Sequence, residues 1–378
     1  MKTLVRHWVA LCILTCGVSA AAKEFTIVTI DAPGAAAASG FGTEGIAISP
    51  SSVITGLYAG YSKAMHAYVR TPDGAITTFD APGAATTSDQ SPFPTVGASP
   101  GTYAVGMDTA GRVTGYVIDT SNVGHSYLRT PDGAVTMFDV PGAGTGSGQG
   151  TFAGSLNTTG AISGNYIDSD GVWHGFLRAS DGAITRFDAP GAGKGAGQGT
   201  MGGWAQCINA AGAIAGYYVD GNNVNHGFLR APDGTITGFE APGAGTGDGQ
   251  GTFVWAINPA GAITGTYVDG NNVYHGVLRT ADGNFIIFDV PGAGTASGQG
   301  TQGEGIDPSG AITGYYTDAS GVSHGFVRAH HGAITEFDAP DAGTATGQGT
   351  FPMTNNPGDT ITGFYVDSNG VWHGFVRK

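Results

Sequence analysis

Apolar residues come in short runs along this chain, each closed by glycine, proline, asparagine or aspartate. From Phe152 to Asp188 the pattern predicts four strands: Phe152 to Leu156, Ala161 to Ile167, Val172 to Arg178 and Ala183 to Asp188. The turns between them are Asn157 to Gly160, Asp168 to Gly171 and Ser180-Asp181-Gly182. Ala-Pro-Gly stops the fourth run, and a glycine-rich stretch leads to the next copy. Proline cannot donate to a strand ladder and glycine favours turns, so this punctuation marks strand ends. No stretch carries the 3.6-residue apolar period of an amphipathic helix.

The four-run pattern repeats. A His-x-x-x-Arg tract falls at His66/Arg70, His125/Arg129, His174/Arg178, His226/Arg230, His275/Arg279, His324/Arg328 and His373/Arg377, at intervals of 59, 49, 52, 49, 49 and 49. An acid closing the fourth run recurs with the same set of intervals, at Asp31, Asp80, Asp139, Asp188, Glu240, Asp289 and Asp338. Repeats of this length with four strands each predict an all-β, seven-bladed β-propeller with four-stranded blades. Residues 23–378 are read as that single domain. Phe25 to Asp31 reads as a fourth strand with no preceding three, and the chain finishes after a third strand at Arg377-Lys378. In a ring the N-terminal strand completes the C-terminal blade and leaves no open edge, whereas a straight β-solenoid needs polar caps instead.

Glycine accounts for 68 of 378 residues, with 18 prolines, which without a period would suggest low complexity. The formal charge is −14, and seven of the nine arginines beyond residue 22 occupy the one repeat position. Little basic surface remains to neutralise phosphates, so nucleic acid is excluded as a partner. Lys2 and Arg6, the apolar run Trp8 to Val18, and Ser19-Ala20-Ala21-Ala22 predict a secretory signal over residues 1–22. The run is too short for a membrane span. Without residues 1–22, Cys207 is the remaining cysteine, so packing rather than an internal disulfide must hold the fold.

The turn before the fourth strand often reads Pro-Asp-Gly, which suits a three-residue hairpin loop. Counting outward from it sets His66 opposite Asp80, His125 opposite Asp139, His174 opposite Asp188, His226 opposite Glu240, His275 opposite Asp289 and His324 opposite Asp338. The same register sets His373 against Asp31, joining the two ends. Opposite charges across a strand pair stabilise a sheet. Catalytic centres are normally unique, so a set repeated in every unit reads as a polar staple.

Other motifs carry less. Gly97 to Gly101 and Gly321 to Gly325 match Gly-x-Ser-x-Gly, but Pro100 has no N–H for an oxyanion hole and Ser323 sits at a variable repeat position. Asp168-Ser169-Asp170-Gly171 and Asp367-Ser368-Asn369-Gly370 resemble fragments of calcium loops without the downstream acid, and are read as hairpin turns with weak calcium binding as the other use. The adjacent His330-His331 does not make a metal site. No metal centre and no cofactor are predicted.

Gly-Gln-Gly-Thr recurs around Gln149, Gln198, Gln250, Gln299 and Gln348 without the lysine of a phosphate loop. These segments are read first as a backbone-driven connection between units, with the glutamines as candidate ligand contacts along one rim as the other use. Trp173 and Trp372 lie near that rim, and Trp204 and Trp255 on innermost strands; each is equally a candidate sugar platform or a residue that packs the blades. Glu44 and Glu304 fall on predicted innermost strands and could line a channel. The second unit's ten extra residues, including Ser88 to Pro94, are a further departure from the repeat.

The tracts "HAYVR" at His66 and "HGFLR" at His174 resemble the bacterial extracellular repeats of the HAF family, over nearly the whole chain beyond the signal. The resemblance implies an exported repeat protein and brings no substrate or catalytic residues. The reading is therefore a secreted, extracellular or periplasmic, monomeric binding or scaffolding module without catalysis, in which one weak site per unit would suit multivalent recognition of a glycan or other polymer. The alternatives are a protein-interaction propeller, or a hydrolase or lyase with a unique acidic channel site.

Overall fold

The computed structural model describes residues 25–87, 99–203 and 206–378. The predicted signal segment, Ser88 to Pro94 and Trp204 lie outside them. The described residues form 28 strands and no helix. They fall into seven units, each pairing an inner, a second, a third and an outer strand antiparallel. In one unit these are Gly150–Leu156, Ile162–Ile167, Trp173–Arg178 and Ile184–Phe187. A bulge between Ala153 and Ser155 bends the inner strand.

Single parallel bridges join the third strand of each unit to the inner strand of the next, as at Met65↔Gly101 and Gly124↔Gly150. The seventh bridge, Trp372↔Gly42, returns to the start. Inner, second and third strands thus form one closed circuit of 21 strands, and the outer strands pair outside it. Ile27–Ile30 is the outer strand of the unit that holds Trp372–Arg377, with Ile27 opposite Arg377 and Ile30 opposite Gly374.

The bridges exist because each inner strand opens with glycine. A Cβ on Gly42, with φ +134°, would stand 1.8 Å from the Trp372 carbonyl oxygen, and one on Gly150 would stand 2.2 Å from that of Gly124. The next residue is threonine in every unit, fully buried, and its hydroxyl accepts the N–H that follows the outer-strand acid of the preceding unit. Ala32 donates to Thr43, Ala81 to Thr102 and Val140 to Thr151, at 3.0–3.1 Å. Gly-Thr therefore grips both the third and the outer strand of its neighbour.

Between units, the outer-strand phenylalanine is sandwiched. Phe138 meets Phe176 of the next unit edge-on at 6.1 Å, and Arg178 lies 4.9 Å above its ring. Phe187 with Phe228 and Arg230, and Phe288 with Phe326 and Arg328, repeat this joint. Burial pushes the Arg230 and Arg328 guanidinium groups below their usual pKa, and the ring faces offset part of that cost. Around one mouth, amides run from unit to unit: Asn157 Nδ2 donates to the Asn209 carbonyl at 3.0 Å, and Asn356 Nδ2 to that of Ser49 at 3.0 Å.

Gly150→Ala is expected to destabilise the protein by about 2–4 kcal/mol, because the methyl meets backbone at a φ that L-residues avoid. Urea unfolding monitored by tryptophan fluorescence measures this. The equivalent change at Gly148, where a Cβ would meet nothing within 4 Å, should cost less.

Candidate functional site

The recurring histidines sit at the second position of each third strand. Nδ1 lies 2.9 Å from Asp80 for His66, 2.9 Å from Asp139 for His125, 2.8 Å from Asp188 for His174 and 3.1 Å from Asp289 for His275. His226 bonds Glu240 in the same way, His324 lies 2.9 Å from Asp338, and His373 lies 2.8 Å from Asp31. In six units a second carboxylate faces Nε2 from the turn between the second and third strands, from 3.2 Å for Asp168–His174 to 3.8 Å for Asp367–His373. In six units a tyrosine stacks on the imidazole, as Tyr166 does on His174 at 4.7 Å. The second acid escaped the sequence reading. Its signal was there: Asp119, Asp168, Asp220, Asp269, Asp318 and Asp367 each stand six residues before the histidine.

This arrangement also accounts for the calcium-like turns. Asp168 Oδ1 accepts the Asp170 and Val172 N–H groups at 2.9 Å, while Oδ2 faces His174. Partial burial pushes the Asp168 carboxyl up, but these donors outweigh it, and it titrates below its ordinary value. Among the described residues no group of three or more His, Cys, Asp or Glu is placed to hold a metal ion. The hydrogen bond to Asp31 raises the His373 pKa against the opposing effect of burial. Stability from this pair is therefore complete below pH 6.5 and is lost as pH rises through the higher folded value. Asp31→Asn should lower the melting temperature by roughly 1–3 °C near pH 5.5, with the gap closing by pH 8; calorimetry at the two pH values checks it.

The glutamines are tied into the fold. Gln149 Oε1 accepts the Gly146 N–H at 2.8 Å, and its Nε2 donates to the Ser169 carbonyl at 3.0 Å. Gln198 and Gln250 accept from Gly195 and Gly247 and donate to Asn223 and Asn272, while Gln299 bonds Ala296 and Ala319. Gln348 accepts from Ala345. In the first four, both ends of the amide are bonded, so the side chain pins the connection between units to the neighbouring turn.

The tryptophans face inward as well. Trp372 stacks at 4.6 Å on Phe364, which stacks at 4.8 Å on Phe351. Trp173 and Trp255 border a separate hollow of about 240 Å³ with Tyr217. All three are half-buried against the channel.

One mouth of the channel is formed by all seven units, including Pro50, Asp108, Asn157, Asn209, Asn258, Pro308 and Asn356. Nearer the opposite mouth, third and fifth positions of the inner strands point inward with the strand period of two. There Glu44, a third position, and Glu304, a fifth, line one cavity of about 290 Å³ with Tyr103, Tyr116, Tyr315, Phe351, Phe364 and Trp372. Glu44 is 1% exposed and its Oε1 has no hydrogen-bond partner. Burial pushes both carboxyl pKa values up to about 8. The channel expectation for these two glutamates thus leads to one shared, largely aromatic cavity.

No protein-family model matches the chain, and no curated protein matches it. Among solved structures, the chain is similar to the BP39L lectin from Burkholderia pseudomallei, at 10% identity over 88% of this chain and 96% of that one, with a TM-score of 0.50. AofleA from Arthrobotrys oligospora follows at 12% identity, 83% and 89% coverage and a TM-score of 0.45. TolB from Acinetobacter baumannii matches at 10% identity, 94% and 80% coverage and a TM-score of 0.41. At these identities the first likeness speaks for the fold alone, and the other two carry no argument.

Between pH 4.5 and about 8 the unfolded chain has released the Glu44 proton that the folded chain keeps. Stability therefore falls with rising pH, by about 1.4 kcal/mol per unit for one fully shifted group. Glu44→Gln removes that loss. The variant should melt above the parent at pH 8–9, and the difference should shrink toward pH 5.

Proposed function

We propose that the chain is a secreted seven-bladed β-propeller that binds carbohydrate at one site in its central channel and does not turn it over. Each four-stranded unit is one blade in this reading. The observation that carries it is the cavity where Glu44 and Glu304 meet Tyr103, Tyr116, Tyr315 and Trp372. Aromatic faces give a sugar ring an apolar platform, and carboxyl groups give its hydroxyls hydrogen-bond partners. The likeness of fold to a lectin supports this choice, and the HAF-like repeats and the residue 1–22 pattern support export.

The geometry favours binding over acid–base chemistry. Glycoside cleavage by two carboxyls needs their pKa values pushed apart, one proton held and one released. Here desolvation raises both to about 8, with no partner dividing their roles. A rim carrying one site per unit is less favoured, because the repeated amides and acids there are engaged internally.

Binding of soluble oligosaccharides to the secreted chain, followed by calorimetry, tests the reading. One saturable site per chain is expected, weakened at least tenfold in Trp372→Leu and retained in Gln149→Ala, with both variants checked for folding by melting. Several sites per chain, or loss in the glutamine variant alone, would overturn it.

A further inference from the structure

We propose that the channel cavity selects a ligand through a positively charged organic ammonium group. The inference rests on the channel as the binding site and deepens that reading by naming the charge its ligand carries. Of the twelve cavity residues, two are acids, none is Lys, Arg or His, and the remainder are aromatic or aliphatic. Every polar or polarisable feature of this wall attracts the same kind of group. Carboxylates attract a cation directly, and the faces of Tyr, Phe and Trp do so through their ring quadrupoles.

Other ligand classes fit less well. An anion would face two acids with no compensating base. A bare metal ion needs several converging oxygen donors, and the wall offers two carboxyl groups among mostly aromatic and aliphatic side chains. A neutral ligand gives these desolvated acids, which keep their protons in the free protein at neutral pH, no partner against which to ionise. Glu44 makes the case specific: it is 1% exposed, its Oε1 has no partner, and it borders the cavity. An ammonium group supplies a positive charge against which the carboxyl can ionise and, where it carries N–H, a donor for Oε1. A quaternary ammonium is also weakly hydrated enough to exchange water for ring faces. The formal charge of −14 favours the approach of such a cation.

The ammonium could belong to an amino sugar or to a small quaternary amine, and the test separates them. Titration calorimetry on the secreted chain would compare a glucosamine tetramer with free amines, its fully N-acetylated counterpart, and tetramethylammonium chloride, against matched sodium chloride. Glu304→Gln keeps the shape of the side chain and removes its ability to ionise. The expected result is that the free-amine tetramer binds at least about tenfold more tightly than the acetylated one, and that Glu304→Gln removes most of this preference.

Equal binding of both tetramers, unchanged in Glu304→Gln, would overturn the ammonium inference and leave the carbohydrate reading standing. Binding of tetramethylammonium with neither sugar would uphold the ammonium inference and overturn the carbohydrate reading. Binding of none of the three would overturn both.

Discussion

Everything in this molecule depends on how closely one unit can approach the next. The approach is set by a glycine at the head of each inner strand, where a side chain would collide with the carbonyl of the preceding third strand. The threonine beside it then takes the N–H at the end of the preceding outer strand. Two adjacent residues thus fix two strands of the neighbour, and seven such joints close the circuit. The aromatic and arginine sandwich fills the space between units, and the amides around one mouth run in the same circumferential direction.

That repetition uses up most of the polar chemistry in the chain. Histidine, two acids and tyrosine lock the third strand to its flanking turn and outer strand. The glutamines lock the connections. Function is then left to frame positions that every unit shares but fills differently. Third and fifth positions of several inner strands line the channel cavities, where Glu44, Tyr103, Met201, Trp255, Glu304 and Phe351 come from different units. A nearly symmetric scaffold thereby acquires an asymmetric cavity, without any change in backbone plan.

The buried acids follow from the same closeness. Glu44 is packed almost out of reach of solvent, and its Oε1 is left without a hydrogen-bond partner. A residue that weakens the fold when ionised is retained in the wall of a cavity. This is the usual relation between a binding site and local stability: the pairing missing in the free protein is the pairing that a ligand can supply.

The sequence by itself determined what local rules govern. The four strands of each unit, the hairpin register that sets histidine opposite an acid 14 residues on, and the pairing of Ile27–Ile30 with the last strand all follow from turn chemistry and a fixed repeat. Even the missed second acid was legible as a constant six-residue spacing. Only the tertiary structure decided which side chains are spent and which meet. Gln149 could not be known to fold back onto Gly146 and Ser169 until the connection between units had a path. Glu44 and Glu304 lie 260 residues apart in the chain. They share a cavity because the circuit closes and the strand period turns both positions inward, and no local rule carries that distance.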